Sequence, residues 1–378
     1  MNGEAKIGIL IPQSRQYPTL DRDFMRGVKF NNIDARLFVE SIGVGADENL
    51  IIEKIQKLNF QEGISIIIGF FGHYNMTKVY DYVTNNDILL IASDLGAKMP
   101  YGISKQKGVY INSYALTESC HLLGGYLFKN NYKKIASATS YYDSGYGMLS
   151  AIESSFKEDM GFVSHYVTPF HPRENEADCM DQVITANDPD AVFAFFSGLF
   201  AEENAQFVEQ NKITHKYPFY VTPFFINERI IEEYKNTPYD LHIVGTWMQN
   251  DADNGGFVND YKDAHAEMPS VFSLLGYEGG LIIKNLLLKT EGDMRMSVLL
   301  NEISNLNIAG PRGVLQFDEA TNRTIFNHHI YKLNLDPQSN VRFEKMATLE
   351  NNGDFIKAVT SYTEPLAVGG WQNAYLCH

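Results

Sequence analysis

The chain has 378 residues, 44% apolar and 20% charged, which is enough hydrophobic material for two or three domains with sizeable cores. Its 31 basic and 46 acidic residues leave a formal net charge of −15, spread without long blocks, and such a surface repels nucleic acid and anionic lipid. The three cysteines, Cys120, Cys179 and Cys377, show no CxxC or Cys/His spacing; they outline no disulfide framework and do not fix the compartment.

In chain order, KIGILIP (6–12) is a continuous apolar run and the first strand. The opening MNGEAKIGIL reaches it almost at once, which reads as no signal peptide, although a chain already relieved of its export signal would begin the same way. A helix from about Leu20 sets Phe24, Val28 and Ile33 on one face, and RLFVES (36–41) is the second strand. Asp47 is placed to cap ENLIIEKIQKLNF, where Leu50, Ile51, Ile55 and Leu58 recur at helical spacing. The strand ISIIIG (64–69) runs into FFGHYN, followed by a helix with Met76, Val79, Tyr80 and Val83 inward and by the strand DILLIAS (87–93).

The alternation then repeats. A helix around 118–130 precedes strand KKIASATS, and a helix over 146–160 aligns Tyr146, Leu149, Ile152 and Phe156. Strand VSHYVTPF, helix 176–186, strand DAVFAFF, helix 201–211, strand PFYVTP, helix 227–235 and strand HIVGTW follow. From about 255 to 305 the pattern is helical. Its most apolar run, LLGYEGGLIIKNLLL (274–288), carries Glu278 and Lys284 and reads as a buried helix too short to span a bilayer, so no direct membrane insertion is expected. The last seventy residues turn to strands: GVLQFDE, FNHHIYKLN and VRFEKMATLE.

Strands apolar on both faces, alternating with amphipathic helices, define an α/β fold with parallel sheets, here in two similar halves. Ligands bind such sheets beyond the carboxyl ends of the strands. GFFGHYN sits at one such end, where Gly69 and Gly72 permit a sharp turn and Asn75 or a neighbour caps the next helix.

Signatures of catalysis are absent from the sequence: no GxxxxGK[ST], GxGxxG after a strand, GxSxG or HExxH. SSFK (154–157) matches SxxK on an amphipathic helix that solvates Lys157. NDADNGG (250–256) resembles a calcium loop but has Gly255 at a ligand position and Lys262 where the bidentate Glu belongs. His328 and His329 are adjacent on a strand and face opposite ways, so they cannot chelate one metal; no cofactor or metal is expected. His73 is the one histidine at a strand's carboxyl end, and an enzyme using it with Asp94 or Asp143 is the weaker alternative to a binding role.

The order of segments resembles the type I periplasmic binding proteins, specifically the branched-chain amino-acid (Leu/Ile/Val) receptors of ABC importers. KIGILIP and FMRGVKF are similar to that family's first strand and helix. The stretch from Glu48 to Ser93 is similar to its central signature, SYYDSGYG to its D..YG.G loop, and GPRGVLQFDEATNR to its late hairpin. The resemblance implies two doubly wound lobes joined by a three-strand hinge, with crossovers near Leu116, Gln249 and Ala320. Lobe one would be 1–117 with 251–320, and lobe two 118–250 with 321–378.

It further implies an extracytoplasmic protein whose partners are a small-molecule ligand and a membrane permease. A receptor that reports occupancy to a signalling partner is the alternative on the same fold. Carried across residue by residue, the ligand-binding positions are His73, Tyr74 and Asn75 in one loop and Ser93, Asp94, Leu95 and Gly96 in the next. Ser144 stands at the family's tyrosine position with Tyr141 and Tyr142 before it, and Leu199 or Phe200 at the lobe-two aromatic. Where amino-acid receptors place an acid to pair with the ligand ammonium, this chain has Pro223, Phe224 and Phe225. A buried ammonium without a partner is costly, so an ordinary amino acid is disfavoured unless Asp94 or Asp143 supplies the charge. Phe70, Phe71 and Trp247 complete the expected aromatic lining, suited to a planar or apolar ligand. The ending YTEPLAVGGWQNAYLCH, with its Gly369-Gly370-Trp371, carries no assignable resemblance.

Overall fold

The computed structural model describes residues 4–72, 76–210, 216–249, 254–362 and 370–377. Strands β1 (Lys6–Ile11), β2 (Arg36–Ser41), β3 (Ile66–Phe70), β4 (Leu89–Asp94) and β5 (Val109–Ser113) form a sheet of order β2-β1-β3-β4-β5, parallel throughout. β3, β4 and β5 are buried from end to end, which is why their sequences carry no polar alternation. Helices α1 (Leu20–Phe30), α2 (Glu48–Gln56) and α3 (Thr77–Asn85) connect them. Asp47 caps α2, its carboxylate accepting from the N–H groups of Asn49 (2.9 Å) and Leu50 (3.3 Å).

After α4 (Leu116–Lys129) the plan recurs. β6 (Lys134–Ser140), β7 (Gly161–Thr168), β8 (Ala191–Phe195), β9 (Phe219–Val221) and β10 (Leu241–Gly245) pair in parallel in the order β7-β6-β8-β9-β10, strand for strand the order of the first sheet. The intervening helices are α5 (Met148–Glu153), α6 (Glu176–Thr185), α7 (Gly198–Gln210) and α8 (Glu228–Asn236). The helix expected over 146–160 is shorter than its periodicity suggests. Residues 143–145 form a separate 3-10 turn, Gly147 takes the N-cap position, and the hydroxyls of Ser154 and Ser155 close the helix by bonding back to the carbonyls of Ala151 and Ile152. β5 was not singled out in the sequence, because it is only five residues long and ends in Asn112 and Ser113.

The chain then returns to the first sheet with α9 (Gly255–His265), α10 (Val271–Thr290) and α11 (Met296–Ser304), then the hairpin β11 (Ile308–Gly310) and β12 (Gly313–Leu315). α10 is capped by Ser270 and runs 20 residues, longer than the 274–288 run implied. Among the described residues it is the one helix long and apolar enough to cross a membrane. Here it packs against α1, β4 and β5. The approach to α1 depends on glycine: a Cβ on Gly276 would lie 2.0 Å from the Phe24 carbonyl oxygen, and one on Gly27 would lie 2.1 Å from that of Ser273. β13 (His328–Leu335) and β14 (Val341–Leu349) extend the second sheet antiparallel beyond β10, and α12 (Asp354–Thr360) rests on α4.

The passages between the two sheets meet at Arg312. Its guanidinium is fully buried and pairs with Glu278 of α10 at 2.5 and 2.9 Å. It also donates to Asn112 Oδ1 (2.9 Å) and the Ser113 carbonyl (2.8 Å) at the first passage, and to Thr246 Oγ1 (3.2 Å) at the second. It stacks 4.0 Å from the Phe326 ring on the third. Before that third passage, Asn322 and Thr324 bond to the backbone of Ile111 in β5.

Candidate functional site

In both sheets the strand order reverses beside the first strand, between β1 and β3 in one and between β6 and β8 in the other. Ligands gather in the crevice outside such a reversal. The loops that leave these strands face each other, and the Gly147 N–H donates to the Ala97 carbonyl across the gap at 2.8 Å. Tyr17, after β1, packs edge-on to Phe224, after β9, with centroids 6.2 Å apart.

The space between these loops is filled by residues 370–377 of the chain itself. The Tyr375 ring lies nearly parallel to Tyr142 (10°, 5.9 Å) and Phe195 (14°, 6.2 Å), and edge-on to Tyr146 (4.6 Å) and Phe224 (6.1 Å). Its hydroxyl donates to Asp143 Oδ1 at 2.6 Å. Asp143 is wholly buried and also accepts from the Ser140 hydroxyl (2.5 Å) and from the hydroxyl and N–H of Ser197 (2.6 and 3.0 Å). Burial pushes this carboxyl up to about 6, against the pull of those hydrogen bonds. Trp371 donates its indole N–H to the Tyr142 carbonyl at 2.9 Å and its backbone N–H to the Gly145 carbonyl at 3.1 Å. On the other side, the Ala374 N–H reaches the Val44 carbonyl (3.3 Å) and the Ser14 hydroxyl donates to the Leu376 carbonyl.

Beside the segment, among the described residues, a gap of about 20 Å³ lies between Phe70–Gly72, Asp94–Lys98 and Asn373–Tyr375. That is room for about one water. The mouth of the cleft is a wider hollow of about 620 Å³ lined by Gln13, Ser14, Arg15, Tyr17, Val44 and Asn373. Lys98 is half-buried with its ammonium 5.6 Å from the Tyr146 ring centre, and burial lowers its pKa.

Several expected site residues meet around Tyr375: Tyr142 and Phe224 touch its ring, Phe200 stacks on Tyr142 at 5.6 Å, and the Asp94–Gly96 loop borders the residual gap. Others take different places. Phe70 and Phe71 border the same gap but turn their rings into the first-lobe core, Phe70 edge-on to Phe24 and Phe272, and Phe225 is fully buried in the core of the second lobe. Trp247 sits at the hinge against Phe257, lining a separate cavity of about 660 Å³ beside Arg312. Tyr141 is an exposed rim residue against Phe170 and Trp371. The Ser144 hydroxyl is spent on the Tyr141 carbonyl, and Leu199 is exposed.

Ser93 is buried inside β4, and Asp94 faces Arg323 at 3.8 Å, so of the two acids expected to replace the missing charge it is Asp143 that points at the occupant. His73, Tyr74 and Asn75 lie outside the described residues. His328 is buried against Ser119, and His329, on the opposite face, meets Thr348. Sequence reasoning missed Ser14, Tyr17, Tyr146 and Ser197. All four stand after β1, β6 or β8, so the rule about carboxyl ends, applied to every strand, would have found them.

A doubly wound pair of lobes with its aromatic chamber at facing switch points defines a clamshell binding protein. The chain matches the periplasmic binding protein family over residues 42–339 and belongs to it. Among solved structures it is similar to an ABC transporter substrate-binding protein from Sphaerobacter thermophilus (17% identity, 91% of this chain and 97% of that one, TM-score 0.76). It is also similar to a solute-binding protein from R. palustris in complex with 4-hydroxybenzoate (15%, 93% and 98%, TM-score 0.72). A leucine-binding protein from Thermotoga maritima is a third (15%, 93% and 99%, TM-score 0.67). No curated protein matches the chain.

Proposed function

We propose that the chain is the extracytoplasmic solute-binding component of an ABC-type importer. Its lobes, residues 1–117 with 251–324 and the remainder, the first reaching past the expected crossover at Ala320 to Thr324 on β5, close on a small molecule of aromatic or apolar character, and the closed form is what a membrane permease recognises. It works by binding and release, with no chemical step. The observation that carries this reading is the chamber itself: four aromatic rings and one buried carboxylate from the second half, faced across the cleft by Ser14, Tyr17 and Val44 of the first, around the space that residues 370–377 fill. A similar structure in complex with 4-hydroxybenzoate and another described as a leucine-binding protein bracket the ligand classes. Phe224 at the position of the ammonium-pairing acid favours the aromatic one.

Trp371 lies against Tyr142 in the chamber, so its fluorescence reports on occupancy. Titration with benzoate, 4-hydroxybenzoate and leucine should give a saturable change for the aromatic acids before leucine. Mass spectrometry of the recovered ligand should return it unchanged. A ligand that emerges chemically altered, or no saturable response to any solute together with no co-purifying molecule, overturns the proposal.

A further inference from the structure

We infer that residues 370–377 are a ligand of the cleft carried on the chain itself, and that the site they mark recognises a p-hydroxyphenyl group presented on a peptide turn, which the Cys377 N–H closes onto the Ala374 carbonyl at 2.9 Å. The inference rests on the reading of this cleft as the ligand site.

The segment is held as a ligand is held, by both lobes at once. Its backbone bonds to Val44 on the first-sheet side and to Gly145 and the Tyr142 hydroxyl on the second, and the Ser14 hydroxyl donates to its Leu376 carbonyl. The loops make room for it. A Cβ on Gly145 would lie 2.2 Å from the Trp371 ring, and one on Gly72 would lie 3.0 Å from the Ala374 backbone. Gly145 therefore needs glycine for as long as the segment is in place, and Gly72 leaves the segment little room to spare.

The recognition is specific for a phenol, not for any ring. Tyr375 ends on Asp143, whose other hydrogen-bond donors all come from Ser140 and Ser197. A phenylalanine at 375 would fill the aromatic slot and leave the buried Asp143 Oδ1 with one donor fewer. The gap of about 20 Å³ beside the segment is too small for any solute, so a free ligand must displace it. Tethering raises the local concentration of the competitor to about millimolar, and the apparent affinity of a free ligand falls by the fraction of chains in which the cleft is open. The cleft so described is matched to tyrosine-bearing peptides or to solutes that mimic their phenol.

The test uses the full chain with Trp371→Ala and Tyr375→Ala together, which weakens the segment and leaves every cleft residue intact. The probe is the labelled octapeptide GWQNAYLC, corresponding to residues 370–377, under reducing conditions and read by fluorescence anisotropy. The double variant should bind the peptide saturably, and the unaltered chain at least tenfold more weakly. A peptide with Phe at the position of Tyr375 should bind about tenfold less well, the worth of a hydrogen bond to a charged acceptor. Adding Asp143→Asn to the double variant should shrink that Tyr/Phe preference.

If the folded double variant binds 4-hydroxybenzoate and the peptide neither binds nor competes, the inference is overturned while the cleft stands as the ligand site. If it binds neither probe, both readings fall. Equal binding of the Tyr and Phe peptides overturns the phenol specificity.

Discussion

Replacing Arg312 by methionine should destabilise the protein far more than the loss of one surface ion pair would. The guanidinium makes five hydrogen bonds, two of them to Glu278, and both side chains are fully buried. After the substitution Glu278 keeps the Asn112 amide at 2.9 Å as its hydrogen-bond donor, a buried charge without its ion-pair partner. Breaking one side of a buried pair costs about 3–5 kcal/mol, because the remaining charge has lost its partner but not its burial. The double variant Arg312→Met, Glu278→Leu removes both charges and should recover to within about 1–2 kcal/mol of the starting protein. Urea denaturation of the three proteins measures this directly. A single variant within about 1 kcal/mol of the parent would refute the claim that this pair is closed off from solvent. So would a double variant no better than the single one.

Gly276→Ala drives a methyl group into the Phe24 carbonyl and should cost about 1–3 kcal/mol by thermal denaturation. Gly279→Ala, whose added carbon would meet nothing closer than 3.8 Å, is the control and should stay near neutral. Phe224→Glu puts a carboxylate among Tyr17, Tyr114 and Tyr375 and should weaken binding of any aromatic ligand by tenfold or more in the fluorescence titration; unchanged affinity would misplace the cleft. Burial, with Arg312 and His329 nearby, holds His328 down to about 3, so the fold keeps a neutral ring where the unfolded chain would be charged. The stability this gives is complete above about pH 6.5 and is lost progressively as the pH falls toward 3. Relative to a His328→Gln variant, the parent should lose about 2 kcal/mol between pH 7 and 5. The comparison with the variant is necessary because Asp143, raised to about 6, titrates with the opposite sign: its contribution is complete below about pH 3.8 and is lost as the pH rises through 6. Equal pH dependence of the two proteins would exclude a buried neutral His328.

The sheets were legible because a strand buried on both faces has no choice but to be apolar, and the runs at β1, β3, β4 and β8 show it without interruption. Length was harder to read. α5 carries helical periodicity across 146–160, but periodicity registers which residues face the core and not where a serine bonds back and ends the helix. Phe224 and Phe225 show the same limit within the site: adjacent rings on one 3-10 turn, one in the cleft and one in the lobe-two core, with nothing local to distinguish them. Trp247 was expected in the cleft because it lies at a crossover, yet crossovers border the hinge cavity as well. Asp94 depends on Arg323, and Glu278 on Arg312. These pairings are made by the fold, and no spacing in the sequence announces them.

The end of the chain was illegible for a different reason. Residues 370–377 have no helical or strand period, since no sheet or helix face dictates their pattern. Their side chains answer instead to the cleft. Tyr375 is a tyrosine because Asp143 and a stack of rings await it, and Trp371 is a tryptophan because its indole N–H meets the Tyr142 carbonyl. The fold explains why they end up there. Two sheets whose five parallel strands share one order, facing each other, bring two switch points to one place, and a segment that reaches that place finds hydrogen-bonding groups on both sides and rings on the second. What distinguishes this chain is therefore the composition of the chamber. An unpaired ammonium has no good site there except beside Asp143, and the occupant observed beside Asp143 is a phenol. The same carboxylate that would decide for an amino acid is, in this structure, engaged by an aromatic hydroxyl, and ligand choice turns on which of the two donors Asp143 prefers.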